Sequence, residues 1–351
     1  MKVVHVVGTG TIGEPLIGLL ADHKADFGID EVTFHKRTPL ITERGKVNDL
    51  VRRGAVLVVD DEKRSTFEEL GHAPKFETRE AIERAKVVID CTPVGNENKA
   101  DFYEQARNPI GFMAQGSENG FGKMYARGIN DNALIYGEDR FLQIVSCNTH
   151  NIAVLIKTLA MDDDGTNHLT DGRFICIRRS NDISQDAGFA PSPTVEKHRD
   201  DRFGTHHAAD AHELFESMGY DLNLFSSALK LNSQYMHAIH FSLTLDRDIT
   251  VDEAREKLLN NKRVAVTYRK SANSVFSFGR DHGYFGRILS QTVVAIETLA
   301  VRNGNTLVGF CFTPQDGNPL LSSLAATLWY LNPAEVDDRL DIMRPYLFHE
   351  V

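Results

Sequence analysis

The stretch Val3-Val4-His5-Val6-Val7-Gly8-Thr9-Gly10-Thr11-Ile12-Gly13 decides the fold. Its valine-rich start reads as a buried strand, and Leu16, Ile17, Leu19 and Leu20 follow at helical spacing, so a G-x-G-x-x-G turn lies between strand and helix. The first glycine permits the tight turn, the second lets backbone approach a pyrophosphate, and the third lets helix pack on strand. The helix N-terminus adds N–H donors. This is the opening of a doubly wound dinucleotide-binding domain, with Gly8, Gly10, Thr11, Ile12 and Gly13 as cofactor residues.

Moving outward, a second strand over Val32-Thr33-Phe34 ends where the adenosine ribose of a dinucleotide sits. An NAD site usually offers a carboxylate there, whereas this chain offers His35-Lys36-Arg37. Lys36 and Arg37 attract a 2′-phosphate, which predicts NADP as the cofactor with NAD also accepted. Later strands over 86–90 and 111–114 run into Cys91-Thr92-Pro93 and Gln115-Gly116-Ser117-Glu118. Carboxyl-end loops of such a sheet border the cofactor, so Thr92, Pro93, Gln115 and Gly116 join the candidates.

The 351 residues suffice for two domains, and 42% hydrophobic with 25% charged residues is ordinary globular composition. No apolar run approaches a bilayer's thickness, and the N-terminus enters a strand rather than a cleavable leader; both point to a cytoplasmic protein with no membrane role. The four cysteines show no C-x-x-C pair, which argues against a zinc knuckle or a disulfide framework. A net charge of −10 argues against nucleic acid as a partner and still permits a local basic pocket for an anion.

Ser146-Cys147-Asn148-Thr149 follows the apolar Ile144-Val145 and opens a segment with Ile152, Leu155, Ile156 and Leu159 at helical spacing. A thiol at a helix N-terminus is a candidate nucleophile, because the positive dipole end favours the thiolate. The plain alternative is a cysteine that fills space. Further on, the alternating Phe174-Ile175-Cys176-Ile177 leads into Arg178-Arg179, then a polar stretch to about residue 203 that reads as a long loop. His206-His207 precede a helix expected over 211–218. Two basic clusters ahead of a helix suit a phosphate-bearing substrate. A metal site at His206, His207 and His212 is disfavoured, since no carboxylate stands at a zinc spacing. A strand over 235–243 carries His237 and His240, which point to opposite faces, so at most one of them faces the thiol.

Taken in order, the glycine turn, Lys36-Arg37, Asp90-Cys91-Thr92-Pro93, Gln115-Gly116-Ser117-Glu118, Val145-Ser146-Cys147-Asn148-Thr149, Arg178-Arg179, His206-His207 and Met236-His237 resemble the archaeal-type (type II) glyceraldehyde-3-phosphate dehydrogenases. Phe276-Ser277-Phe278-Gly279-Arg280-Asp281 and Gln315-Asp316-Gly317-Asn318-Pro319 extend the resemblance over nearly the whole chain. It implies an α/β architecture: an N-terminal Rossmann domain over 1–146, completed by the C-terminal helical segment 317–351, and an α+β catalytic domain over 147–316 on a mostly antiparallel or mixed sheet. It also implies Cys147 as nucleophile, His237 as acid/base, and Thr149, Arg178 and Arg179 with His206 or His207 around the phosphate. Asn148 and Gln315 border the cofactor. The implied enzyme is a homotetramer that converts a phosphorylated aldehyde and inorganic phosphate into an acyl phosphate. The chain departs from the family's pattern at His150-Asn151, where relatives carry a second threonine, and at His206-His207-Ala208-Ala209-Asp210, where they carry His-His-Gly-Pro-Asp. These changes touch the substrate pocket more than the nucleophile or the cofactor turn. They keep open a related semialdehyde dehydrogenase, phosphorylating or CoA-acylating, and, outside catalysis, an NADP-binding redox sensor with an oxidisable Cys147.

Overall fold

Parallel pairing of short, buried, β-branched runs builds the first sheet. In the computed structural model, which describes residues 1–351 apart from Ser117, Ser184, Asp186 and Gln315, its strands are β1 (Val3–Val7), β2 (Glu31–His35), β3 (Val56–Val58), β4 (Val87–Asp90), β5 (Gly111–Gln115), β6 (Lys123–Tyr125) and β7 (Phe141–Ile144). The order is β3-β2-β1-β4-β5-β7-β6. Five parallel pairings join β3 through β7, and the order reverses between β1 and β4, the switch point at which such sheets bind nucleotides.

The second sheet is mixed. It contains β8 (Leu169–Arg178), β9 (Thr194–Val195), β10 (Leu224–Lys230), β11 (Ala238–Leu245), β12 (Val264–Thr267), β13 (Thr292–Arg302) and β14 (Thr306–Phe312), ordered β12-β13-β14-β11-β8-β10-β9. β11 pairs antiparallel with both β8 and β14, while β10 runs parallel to β8 and β12 to β13. The helix Cys147–Leu159 lies in the core with Phe174, Phe241 and Leu243 of this sheet, and its residues from Asn148 to Ile156 are all buried. A helix buried on every side is a rigid mount for whatever its first turn carries.

Contacts divide the chain into one unit of Met1–Lys123, Leu134–Ile144 and Leu320–Ile342 and another of Met124–Ala133, Val145–Pro319 and Met343–Val351. The helix Gly317–Leu331 supplies the first unit with Tyr330, whose ring lies 2.3 Å from where a Cβ on Gly111 would stand, so β5 must begin with glycine. In this division Met124–Ala133 as well as the tail lies with the second unit. Met343–Val351 belongs to the second unit because the tail extends the β12 edge: Val266 N donates to His349 O and Val351 N to Val266 O, each at 2.9 Å. No helix among the described residues is long and apolar enough to cross a membrane.

Candidate active site

In the first unit the glycine turn takes the form the sequence predicts. Gly8 has φ +94°, and a Cβ on Gly13 would lie 2.1 Å from Gly8 O, so neither position accepts a side chain. At Gly10 a Cβ would meet nothing within 4 Å among the described residues, leaving open backbone where a pyrophosphate is expected. Thr11 and Ile12 lead into the helix Gly13–Asp22, which no described side chain caps. Within its first turn Glu14 N donates to Gly10 O at 3.0 Å and Pro15 has no N–H, so an anion would be met by the junction of turn and helix ahead of Glu14.

The loop after β4 is fixed by the buried Asp90, which accepts from Thr92 N at 2.8 Å, Thr92 Oγ1 and Tyr103 Oη at 2.6 Å, and Asn98 Nδ2 at 2.7 Å. Thr92 thus spends both its N–H and its hydroxyl on the loop, and Pro93 beside it is exposed. At the end of β5, Gln115 Nε2 donates to Ser323 Oγ at 2.8 Å, while its buried Oε1 has no hydrogen-bond partner among the described residues. Gly116, at φ +66°, turns the chain beyond it. An open glycine cradle and an orphaned amide oxygen fit a dinucleotide. Gln315 lies outside the described residues.

Basic residues do follow β2, but the structure adds a carboxylate that the sequence did not place there. Lys36 Nζ is 2.5 Å from Glu43 Oε2, and Lys46 Nζ is 2.9 Å from Glu43 Oε1. Arg37 is exposed.

In the second unit Cys147 is the first residue of its helix, and Ser146 is the N-cap: its Oγ accepts from Thr149 N at 3.2 Å, a contact worth about 1 kcal/mol. Asn318 Nδ2 donates to Cys147 O at 3.0 Å. The position agrees with the sequence reading, but the expected ionisation does not. Burial first, then the Asp316 carboxylate, push the Cys147 thiol up to about 12, against the opposing pull of Arg179, Arg178 and the Asn148 backbone. Asp316 holds φ +55° and is 6% exposed, and its Oδ2, with no hydrogen-bond partner among the described residues, stands 3.5 Å from the Arg179 guanidinium. Replacing Asp316 with asparagine removes a negative charge beside the sulfur, so the thiol is expected to titrate lower. Iodoacetamide alkylation of Cys147 at pH 8 should quicken several-fold, by about 3 to 10 times. An unchanged rate would mean that burial alone sets the thiol.

Asn148, 1% exposed, is the hub of the site. Its Oδ1 accepts from Thr313 Oγ1 at 3.1 Å and faces His237 Nδ1 at 3.1 Å; its Nδ2 faces His207 Nε2 at 3.5 Å. The amide orientation follows from the donors behind it: Cys311 Sγ to Asn151 Oδ1 at 3.3 Å, then Asn151 Nδ2 to Thr313 Oγ1 at 2.9 Å. Thr313 therefore donates to Asn148, and His237 does so through a protonated Nδ1. The lone pair of His237 is left on Nε2. His237 lies just ahead of β11, not within it, and burial with Arg179 and Arg178 holds its imidazole well below the ordinary histidine range. His240 sits on the outward face of the sheet beside Phe310.

The residues expected around a phosphate are only partly available. Thr149 is fully buried, and its hydroxyl bonds Ser146 Oγ at 2.9 Å, so it closes the helix cap instead of facing a pocket. Arg178 pairs with Glu196, and Arg179 with Asp182 and Asp316. The polar stretch after β8 supplies those first two carboxylates. The helix expected over 211–218 is His206–Glu216, because Ser226 Oγ of β10, a partner distant in sequence, accepts from Ala208 N at 3.1 Å and caps it. His206 is held at about 4 by burial and then by Arg199 and Arg178; the buried His207 leaves Nδ1 without a partner among the described residues. Among the described residues no group of three or more His, Cys, Asp or Glu side chains is placed to hold a metal ion.

The chain is 30% identical over 275 residues to glyceraldehyde-3-phosphate dehydrogenase of Methanobacterium bryantii, covering 76% of this chain and 74% of that protein. The chain belongs to the archaeal-type glyceraldehyde-3-phosphate dehydrogenase family. The enzyme of the same name from Methanobacterium formicicum is 28% identical over 77% of this chain and 75% of its own length, and that from Pyrobaculum islandicum is 22% identical over 87% and 85%. No family model matches the chain. Glu43, Lys46, Asp316 and Thr313 stand in the networks described above, and motif reading assigned none of them a role. The Asp316-Gly317 pair, a dipeptide typical of turns, was the one available signal.

Proposed function

We propose that the protein is a phosphorylating glyceraldehyde-3-phosphate dehydrogenase that works through a cysteine thioester and uses NADP, with NAD also accepted. The observation that carries this reading is Cys147 on a rigid helix start, followed by Asn148, which fixes the tautomer of His237. His237 Nε2 takes the thiol proton as the Cys147 sulfur bonds to the aldehyde carbon, leaving an oxyanion that the protonated imidazole stabilises. A nicotinamide cofactor, when bound, accepts the hydride that leaves this carbon. A thioester on Cys147 results, and inorganic phosphate attacks its carbonyl; the C–S bond breaks and the acyl phosphate departs. Arg178 and Arg179 exchange a carboxylate partner for phosphate during this cycle.

A second reading has its own support, since both arginines already hold carboxylates and Thr149 faces inward. It is a dehydrogenase for a related semialdehyde. One experiment separates the two: reduced-cofactor formation at 340 nm with glyceraldehyde 3-phosphate, with and without inorganic phosphate, beside a panel of semialdehydes. Phosphate-dependent turnover of the triose phosphate is the expected result. Turnover confined to another aldehyde favours the second reading, and nucleotide binding without any turnover rejects both.

A further inference from the structure

At the carboxyl end of β2 the fold holds a cation, carboxylate, cation row that no sequence motif announces. Lys36 is only 8% exposed and meets Glu43 Oε2 at 2.5 Å. Lys46, on the helix Arg44–Arg52, donates to Glu43 Oε1 at 2.9 Å and to the carbonyl of Thr9 at 3.2 Å, and stands 3.5 Å from Glu14. The row thus spans from the end of β2 to the glycine turn, and in a dinucleotide fold the adenosine ribose lies between these two walls. Burial pushes the Glu43 carboxyl up, but the hydrogen bonds and charges of Lys36 and Lys46 outweigh it and hold the group below the ordinary carboxylate range. An ionised carboxylate therefore stands between two lysines at neutral pH.

We propose that Glu43 is the specificity-determining residue of this pocket: its carboxylate holds, between Lys36 and Lys46, the place of a 2′-phosphate. A cofactor carrying that phosphate must displace Glu43 from both lysines. One with a free 2′-hydroxyl binds with Glu43 in place, and the carboxylate accepts that hydroxyl's hydrogen bond. Two anions compete for one pair of cations, so the NADP preference expected of Lys36 and Arg37 is blunted and both cofactors are used. Lys46 becomes a cofactor-phosphate residue alongside Lys36. This rests on the nucleotide-binding part of the proposed function and not on the identity of the aldehyde.

The test is calorimetric titration of the full-length protein with 2′,5′-ADP and with 5′-AMP, which report the adenosine half alone. Glu43→Gln keeps the shape and removes the charge; it is expected to tighten 2′,5′-ADP by about tenfold or more while 5′-AMP changes less than about threefold. Lys46→Gln removes one cation and should lower the ratio of 2′,5′-ADP to 5′-AMP affinity by about tenfold, which keeps the proposal testable should Glu43→Gln fold poorly. Equal shifts of both nucleotides in Glu43→Gln, or no tightening of 2′,5′-ADP, would overturn the role of Glu43 alone. A wild-type protein that binds neither nucleotide would defeat the cofactor reading as well.

Discussion

Cys147→Ser lowers aldehyde oxidation by about a thousandfold or more while nucleotide binding and folding stay close to wild type. The loss is large because sulfur does two things at this position that oxygen does not. It is nucleophilic enough to form the hemithioacetal, and it leaves readily as thiolate when phosphate attacks the thioester; a serine hydroxyl stays protonated and would leave an ester that phosphate displaces poorly. Folding is spared because the cap belongs to Ser146 and the link to Asn318 uses the Cys147 backbone carbonyl, so neither depends on sulfur. Nucleotide binding is spared because the glycine turn is built within the other unit. The measurements are single-turnover hydride transfer at 340 nm, nucleotide titration, and intact mass after mixing with aldehyde and oxidised cofactor. The wild type should gain the mass of an acyl group and the variant none. Residual activity above about a tenth of wild type would sink the nucleophile assignment.

The parts of this site legible in the sequence are those set by local backbone constraints. Gly8 and Gly13 are demanded by a positive φ and by a Cβ that would stand 2.1 Å from a carbonyl, and such demands leave a fixed spacing in the chain. The helix that starts at Cys147 is likewise written locally, in a serine cap and an apolar period. Charge placement is not local. Asp316 reaches the surroundings of Cys147 from beyond β14, so a thiol that looks activated by its helix is pushed up by burial first and by this distant carboxylate second. Glu43 was similarly invisible, because its partner Lys36 lies across a loop and no period links them. Thr149 sits at the third residue of its helix, where a hydroxyl can serve the cap or a ligand; only the packed structure shows that Ser146 takes it. His206 begins its helix because Ser226 caps from β10, and a cap delivered from another strand leaves no mark beside the helix it closes.

His237→Asn should lower kcat/KM by about a hundredfold to ten-thousandfold, the usual reach of general acid–base catalysis, and should also change the shape of the pH profile. Burial first, then Asp316, push the Cys147 thiol far above the neutral range, so it is protonated at pH 7 and turnover there requires a base that takes the proton as the sulfur attacks. His237 is suited to this. Burial and the two arginines hold its imidazole well below the usual range, so it is neutral throughout the neutral region, and Asn148 leaves its lone pair on Nε2. The sign follows: a depressed histidine keeps its base form as pH falls past the ordinary value of about 6.5, and the acid limb of the wild-type profile lies below that pH. The wild type is therefore nearly flat from pH 6.5 to 8 on this scale, roughly within a factor of three. The variant has no such base and depends on spontaneous thiolate, so its rate should climb by about tenfold per pH unit across the same range and approach wild type only in strong alkali. A merely structural role for His237 would lower the rate at every pH alike. Parallel profiles for the two proteins would therefore reject His237 as the base, whatever the size of the loss, and would turn attention to His207 on the other side of Asn148, whose Nδ1 has no partner among the described residues.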